Sequence, residues 1–313
     1  MSGTGLLAVQ HEGGSSDAVL RLADRSGALG SQVLARGTLG NPQFSPDGRR
    51  ISYEFRGPPG TSWGDLSVHD LERGTDTRLT FTNGSAVRSC WSPDGQRIAW
   101  TQVTKDGRTT AMIRSADGLG APDSIAFPSR TAYLAQWAAA GSRLAFYSGD
   151  GRMFVVDADG PDRVVQALGD TTQFQTQPNF SPDGRWLATT ISTSNTHSNI
   201  FVTSAIGPPG RWQISLRLGA KPRWTRGGRE LIFESSDGWL MAVDIDTANG
   251  FQPGTPRQLF RLPVGSFGRE IASWGVDASG ERFLVVARDA MADATDRRTI
   301  EVITDFRSLV SRK

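Results

Sequence analysis

The sequence predicts an all-β fold, a single propeller of four-stranded blades spanning residues 1–313. Three observations predict it. A five-residue phrase recurs six times along the chain, and a short β-type run follows every copy. Gly (36) and Pro (16) are dense enough to end a strand every few residues. No stretch carries the 3.6-residue apolar period of an amphipathic helix, and only 288–298 leaves room for a helical turn.

The phrase is complete at Phe44-Ser45-Pro46-Asp47-Gly48, Trp91-Ser92-Pro93-Asp94-Gly95 and Phe180-Ser181-Pro182-Asp183-Gly184. Degraded copies start at Trp137, Trp224 and Val276, so the spacings run from 43 to 52 residues. A propeller blade repeats at about 40–45 residues. Pro presets φ at the second place of a tight turn, Asp tolerates the third, and Gly takes the left-handed fourth. Each phrase is therefore a hairpin between a first and a second strand, with the aromatic residue ending the first.

Second strands follow at Ile51–Phe55, Ile98–Trp100, Leu144–Phe146, Leu187–Thr189, Leu231–Phe233 and Phe283–Val286. Third strands that end in polar turns are exemplified by Leu66–Leu71, Phe154–Asp157, Val19–Asp24 and Leu240–Asp244. Short fourth strands follow, as at Thr77–Thr80 and Arg257–Phe260. Closing such sheets into a ring leaves only short edges.

Leu6-Leu7-Ala8-Val9 reads as a seventh second strand, so seven blades are favoured, with units at about 1–38, 39–81, 86–127, 132–168, 175–216, 219–261 and 270–313. The alternative is six, if the two partial terminal units merge into one sheet with the help of Ile300–Thr304. The repeated aromatic at 44, 91, 137, 180 and 224 reads as packing between blades, because a function rarely needs the same residue in every one.

These phrases resemble the "SPDG" turns of TolB-like propellers, also called WD-like propeller repeats. Gly210–Ser215, Lys221–Trp224, Gly228–Phe233, Leu240–Val243 and Arg282–Val285 are similar to the propeller portion attached to some bacterial serine/threonine protein kinases. The resemblance covers essentially the whole chain and implies fold more than activity. The chain departs from the kinase pattern: it has neither a Gly-rich loop with a strand lysine nor a His-Arg-Asp loop, which excludes phosphoryl transfer by this polypeptide.

Composition excludes more than it identifies. Hydrophobic residues at 37% and charged residues at 21% suit a folded globule. No apolar run approaches the roughly 20 residues of a membrane-spanning helix. The first residues lack a basic, apolar export signal, so the expected compartment is the cytoplasm, unless the chain is part of a longer exported or membrane-anchored protein. A single cysteine, Cys90, rules out an internal disulfide and any cysteine metal site. The 34 basic and 32 acidic residues nearly balance, and no basic run with interleaved aromatics points to nucleic acid.

Catalytic patterns are thin. Gly60-Thr61-Ser62-Trp63-Gly64 matches a nucleophile elbow by letter, but it stands in a Gly/Pro loop between strands rather than at a strand-to-helix turn. His11, His69 and His197 have no zinc spacing and fall at different levels of their blades. Asp157-Ala158-Asp159-Gly160 and Asp244-Ile245-Asp246 open like calcium loops, yet Leu168 and Thr255 stand where the glutamate belongs. No catalytic residue, metal or cofactor is expected.

A loop face remains. The loops joining second to third strands and those joining successive blades gather at one mouth, and by this assignment carry about +6 against about −4 elsewhere. The face is expected to bind a protein or peptide partner, plausibly an acidic one, through Trp63, Arg130, Tyr133, His197, Arg217, Lys221 and Arg269. The chain is expected to be a monomer. The leading reading is a non-catalytic binding or sensor module. The alternatives are a central-pocket hydrolase or lyase on a small or saccharide substrate, and the detached propeller of a larger kinase or hydrolase.

Overall fold

A computed structural model describes residues 7–10, 18–56, 64–81, 84–139, 141–169, 172–194, 197–265, 272–288 and 300–303. The strands form six antiparallel blades, each opening on an inner strand that ends at the turn phrase. Blade 1 is Thr38–Phe44, Arg50–Arg56, Gly64–Asp70 and Thr75–Arg78. Blade 2 is Ser85–Trp91, Arg97–Val103, Thr109–Ser115 and Asp123–Ala126. Blade 3 is Ala132–Trp137, Arg143–Ser148, Met153–Asp157 and Val165–Leu168, and blade 4 is Phe174–Phe180, Trp186–Ser194, His197–Ser204 and Arg211–Gln213. Blade 5 is Gly219–Thr225, Glu230–Ser235 and Trp239–Asp246, its outer edge shared by Gln252–Pro253 and Arg257–Arg261.

The sixth blade corrects the favoured count of seven. It takes its inner strands, Trp274–Val276 and Phe283–Arg288, from one end of the sequence and its outer strands, Ala18–Ala23 and Leu29–Arg36, from the other. The two partial units are one sheet, joined in register from Ala18 opposite Arg288 to Ala23 opposite Phe283. The run Leu6–Val9 is expected as a seventh copy; the strand found there, Leu7–Gln10, instead pairs with Ile300–Ile303 in a separate two-stranded sheet. Among the described residues the remaining regular element is a 3-10 turn at Arg226–Gly228, where the degraded phrase puts Gly227 at φ 67°. Among the described residues no helix is long and apolar enough to cross a membrane.

The turn phrase is held by its serine as much as by its proline. Ser92 Oγ donates to Asp94 Oδ1 (2.5 Å) and accepts from the Arg97 N–H (2.8 Å), while Gly95 sits at φ 69°. Ser45 and Ser181 repeat the arrangement. The calcium-like Asp157 also serves a turn, accepting from the N–H groups of Asp159 and Gly160.

Six apolar clusters form the core, one at each joint of the ring. Leu66, Val68 and Leu79 of blade 1 meet Trp91 and Ile98 of blade 2, and Ile113 and Ile125 of blade 2 meet Trp137, Leu144 and Phe146 of blade 3. Tyr147 and Met153 meet Phe180 and Leu187 at the next joint, and Trp186 and Ile200 meet Trp224 and Leu231 at the fourth. Ile232 and Phe260 meet Trp274 and Phe283, and Leu20 and Leu284 meet Phe44 and Ile51 to close the circle.

An arginine sits six residues after the phrase's first residue in four blades, and each lies over the aromatic of the next blade. Arg282 lies over Phe44, Arg50 over Trp91, Arg97 over Trp137 and Arg143 over Phe180, at 4.7 to 5.8 Å from the ring centroids. Blade 4 has Trp186 in the arginine's place, and it packs with Trp224 around Phe251. Blade 5 has the fully buried Glu230, which Arg25 of the closing blade, Arg257 and Thr225 all engage.

Candidate functional site

Among the described residues, polar side chains gather along the channel on the ring axis and on the loop face around its mouth. The channel is shaped by bulges in the inner strands. Pairing to the second strand skips between Gly40 and Gln43, Val87 and Cys90, Leu134 and Gln136, Thr176 and Asn179, and Ala220 and Arg223. At four of these bulges a non-glycine residue takes a left-handed φ: Asn41 (46°), Arg88 (55°), Gln177 (55°) and Lys221 (61°). Such strain is tolerated only where surrounding bonds fix it, and bulges serve to re-aim side chains.

The fixing bonds come from the preceding blade. Glu54 Oε1 accepts from the Arg88 N–H (2.5 Å), Thr101 Oγ1 from the Leu134 N–H (2.9 Å) and Thr190 Oγ1 from the Lys221 N–H (3.2 Å). Glu54 Oε1 also accepts from Asn41 Nδ2 (2.5 Å). Asn41 in turn exchanges backbone and side-chain bonds with Ala272, ahead of the closing blade's inner strand. Bulge residues from all round the ring therefore converge on one axial cavity of about 20 Å³, whose walls include Asn41, Arg88, Leu134, Gln177, Lys221, Arg223 and Ala272.

Three cations share that wall. Lys221 Nζ is 3.3 Å from Glu234 Oε2, and both side chains are buried. Burial pushes the Lys221 pKa down to about 8, the Glu234 carboxylate opposing the shift. Burial, and then the nearby Arg88 charge, push Arg223 down to about 10. Arg88 is itself held between rings, its guanidinium 5.6 Å from the centroid of Tyr133 and 5.5 Å from that of Tyr147.

The loop face is defined by bonds between its two kinds of loop. The Thr109 N–H donates to the Arg130 carbonyl (3.1 Å), Gly149 to Thr131 (3.0 Å), Ser236 to Leu218 (3.2 Å) and Leu262 to Gly238 (2.9 Å). Second-to-third turns and blade-to-blade loops thus meet at one end of the barrel-shaped ring. Beside Arg217 on this face is a largely apolar pocket of about 260 Å³ lined by Leu216, Leu218, Phe233, Met241 and Pro256, with Ser235, Asp237 and Gln258 as its polar wall. Leu216 is 76% exposed at its lip.

The rim candidates separate. Arg130 and Arg217 are exposed on the loop face, Arg130 donating to the Asp106 carbonyl (2.5 Å), and His197 is exposed where blade 4's third strand begins. Tyr133 is half-buried against Arg88 and Tyr147. Lys221, 2% exposed, belongs to the channel wall rather than the rim. Trp63 and Arg269 lie outside the described residues, as do His11 and all of the elbow-like run except Gly64. His69 is buried in blade 1, its Nδ1 3.2 Å from Asp76 Oδ1, at the opposite end of its strand from the loop face. Among the described residues no three His, Cys, Asp or Glu side chains cluster as metal ligands would.

Sequence reasoning passed over Asn41, Arg88, Gln177, Arg223, Glu54 and Glu234. A signal was present: Asn41, Arg88, Leu134, Gln177 and Lys221 each stand three residues before the phrase aromatic. Because the position varies from amide to cation to leucine, it does not show as a repeated letter.

No protein-family model matches the chain. Among curated proteins, the Tol-Pal system protein TolB of Alcanivorax borkumensis is 33% identical over 92 residues, 28% of this chain and 20% of that protein. The chain thus matches about a fifth of that relative's length. Among solved structures, one described as a TolB from Agrobacterium tumefaciens superposes with a TM-score of 0.67 at 18% identity, over 88% of this chain and 99% of that one. An oligogalacturonate lyase in complex with manganese superposes with a TM-score of 0.56 at 12% identity, over 93% and 100% of the two chains. The fold these share is the TolB-like β-propeller. In this protein it has six blades, with the ring sealed by a sheet drawn from both ends of the sequence.

Proposed function

We propose that the protein is a non-catalytic binding propeller that takes a protein or peptide partner on its loop face. The observation that carries this reading is the 260 Å³ apolar pocket beside exposed Arg217. Interface hot spots are typically one large anchor in a desolvated pocket with a polar or charged rim. The pocket has room for such a side chain, and Arg217 and Arg130 would meet acidic groups flanking it.

Volume argues against a substrate buried in the channel. A ligand pocket usually measures about 300–1,000 Å³, whereas the axial cavity holds about 20 Å³. The lowered pKa values of Lys221 and Arg223 are what would favour catalysis there, and burial in a structural cluster shifts pKa values in the same way.

Selection of displayed peptides on the immobilised chain tests the reading. Enriched sequences should combine a bulky apolar residue with neighbouring Asp or Glu, should weaken as salt rises, and should be lost with Leu216→Asp or Met241→Lys. Peptides that ignore both substitutions and salt would refute it.

A further inference from the structure

We propose that the loop-face partner binds as an extended acidic strand added to the outer edge of blade 4, with one apolar side chain in the Leu216 pocket. This binding mode rests on the loop-face reading and deepens it. In blades 2, 3, 5 and 6 the fourth strand covers the third almost to its loop-face end, pairing as far as Thr110, Met153, Trp239 and Val19. Blade 4 differs. Its third strand, His197–Ser204, has eight residues and its fourth, Arg211–Gln213, has three. The pairing ends at Phe201, beyond which Ile200 accepts from the Ile214 N–H and donates to Ser215 Oγ.

His197, Ser198 and Asn199 therefore have no fourth strand beside them. Backbone groups turn to a given edge at every second residue, so Ser198 presents its N–H and C=O outward as Ile200 does. Blade 1 also stops short, at Leu66, but there Ser85 Oγ takes the outward Gly64 N–H (3.3 Å). Ser85 stands six residues before its phrase aromatic, and the equivalent residue next to blade 4 is Leu218, which has no hydroxyl.

The pocket arises from the same gap. In the register that sets Gln213 opposite Phe201, Leu216 would lie opposite Ser198. Instead the chain turns toward blade 5, where the Leu218 carbonyl accepts from the Ser236 N–H, and Leu216 is left exposed. Ser198 shares a strand face with Ile200 and Val202, which pack into the joint with blade 5. A residue added opposite Ser198 lies on that face too, toward Phe233 and Met241 of the pocket wall. Charge selects the occupant. Between Asp183 and Glu230 the chain has seven Lys and Arg and no Asp or Glu. Two of them, Arg211 and Arg217, are exposed where the fourth strand begins and just past its end. Such charge discourages a second copy of the same edge, whereas a segment carrying Asp or Glu meets the opposite sign.

The tightest synthetic peptide from the displayed-peptide selection is the probe, titrated by calorimetry into the unaltered chain, Ser198→Pro and Ser198→Ala. Proline removes the edge N–H and alanine keeps it. Ser198→Pro should weaken the peptide about tenfold, and Ser198→Ala should stay within about twofold of the unaltered chain. On the unaltered chain, N-methylation of one peptide residue should cost as much and methylation of its two neighbours little, because only alternate amides face the edge. Equal binding by the two Ser198 variants, or indifference to every N-methyl group, would overturn the added strand while a Leu216-dependent peptide keeps the pocket reading. Should Ser198→Pro not fold, the methylation series decides alone. A selection that returns no peptide dependent on Leu216 and Met241 removes both readings.

Discussion

The Arg50 guanidinium lies 4.9 Å from the ring centroid of Trp91 and donates a 2.6 Å hydrogen bond to the Gly95 carbonyl, so one side chain of blade 1 grips both the aromatic and the turn of blade 2. Arg282 makes the same pair of contacts to Phe44 and Gly48 across the sealed joint. The grip makes the turn phrase an inter-blade element as well as a hairpin. Trp91→Ala should cost about 3–5 kcal/mol, as large aromatic truncations in cores do. In a double-mutant cycle Arg50→Ala and Trp91→Ala should couple by about 0.5–2 kcal/mol, the range of a partly desolvated cation–π contact. Denaturant midpoints of the four proteins measure it, and strict additivity would show that the two side chains do not interact.

The phrase serines make a separate prediction. Ser92 is buried and satisfies both Asp94 and the Arg97 N–H, so Ser92→Ala should cost about 1 kcal/mol or more by stranding the N–H. Hydrogen bonds from Ser45 and Ser92 hold Asp47 and Asp94 below the ordinary carboxylate pKa of 3.8. A carboxylate with a depressed folded pKa contributes stability above its unfolded pKa and loses it as pH falls through the folded value. Acid unfolding of the unaltered chain should therefore steepen below about pH 3.8, and Ser92→Ala should flatten that limb. An unchanged acid limb would contradict the role given to the serine.

The Lys221–Glu234 pair predicts an effect of the same pH sign in an alkaline window. The Lys221 pKa is lowered to about 8 from 10.5, so between these values the unfolded chain binds more protons than the folded one. The contribution of Lys221 to stability accordingly rises with pH across that window. Lys221→Met leaves Glu234 buried without its ammonium partner and should cost about 3–5 kcal/mol, most of it recovered in Lys221→Met/Glu234→Leu. Urea melts at pH 7 and pH 10 check both statements. A double variant no better than the single would refute the pairing.

Cys90 offers a chemical probe of the joint between blades 2 and 3. It is 3% exposed, and burial pushes its thiol up to about 12. A thiol reagent at pH 8 should label it only as fast as the blades separate, and the rate should increase in Trp137→Ala, which thins the same cluster. Immediate labelling of the native chain would place Cys90 elsewhere.

Most of the ring was legible because blades are local. Six copies of the phrase mark the six first-to-second hairpins, and the aromatic at the head of five of them packs into a joint as its recurrence implied. The blade count was not legible. Ala18–Ala23 and Phe283–Arg288 are a β pair drawn from opposite ends of the chain, and local periodicity carries no information about such a partner. For the same reason Leu7–Gln10, with a β pattern as good as any second strand, pairs outside the blades. At the candidate site, Arg130 and Arg217 could be placed on the loop face by counting strands, since exposure there needs no more than topology. Lys221 was not, because it sits at a bulge whose left-handed φ turns it onto the axis, and the one mark of that bulge is the adjacent Pro222, repeated as Pro42 after Asn41 and Pro178 after Gln177.

Hydrogen–deuterium exchange of the chain with and without a selected acidic–apolar peptide tests the central claim most directly. The account predicts new protection in residues 216–218 and 235–241, which line the pocket, with residues 118–122 and 205–210 on the opposite face unchanged. Protection confined to that opposite face, or none beside Leu216, would contradict it.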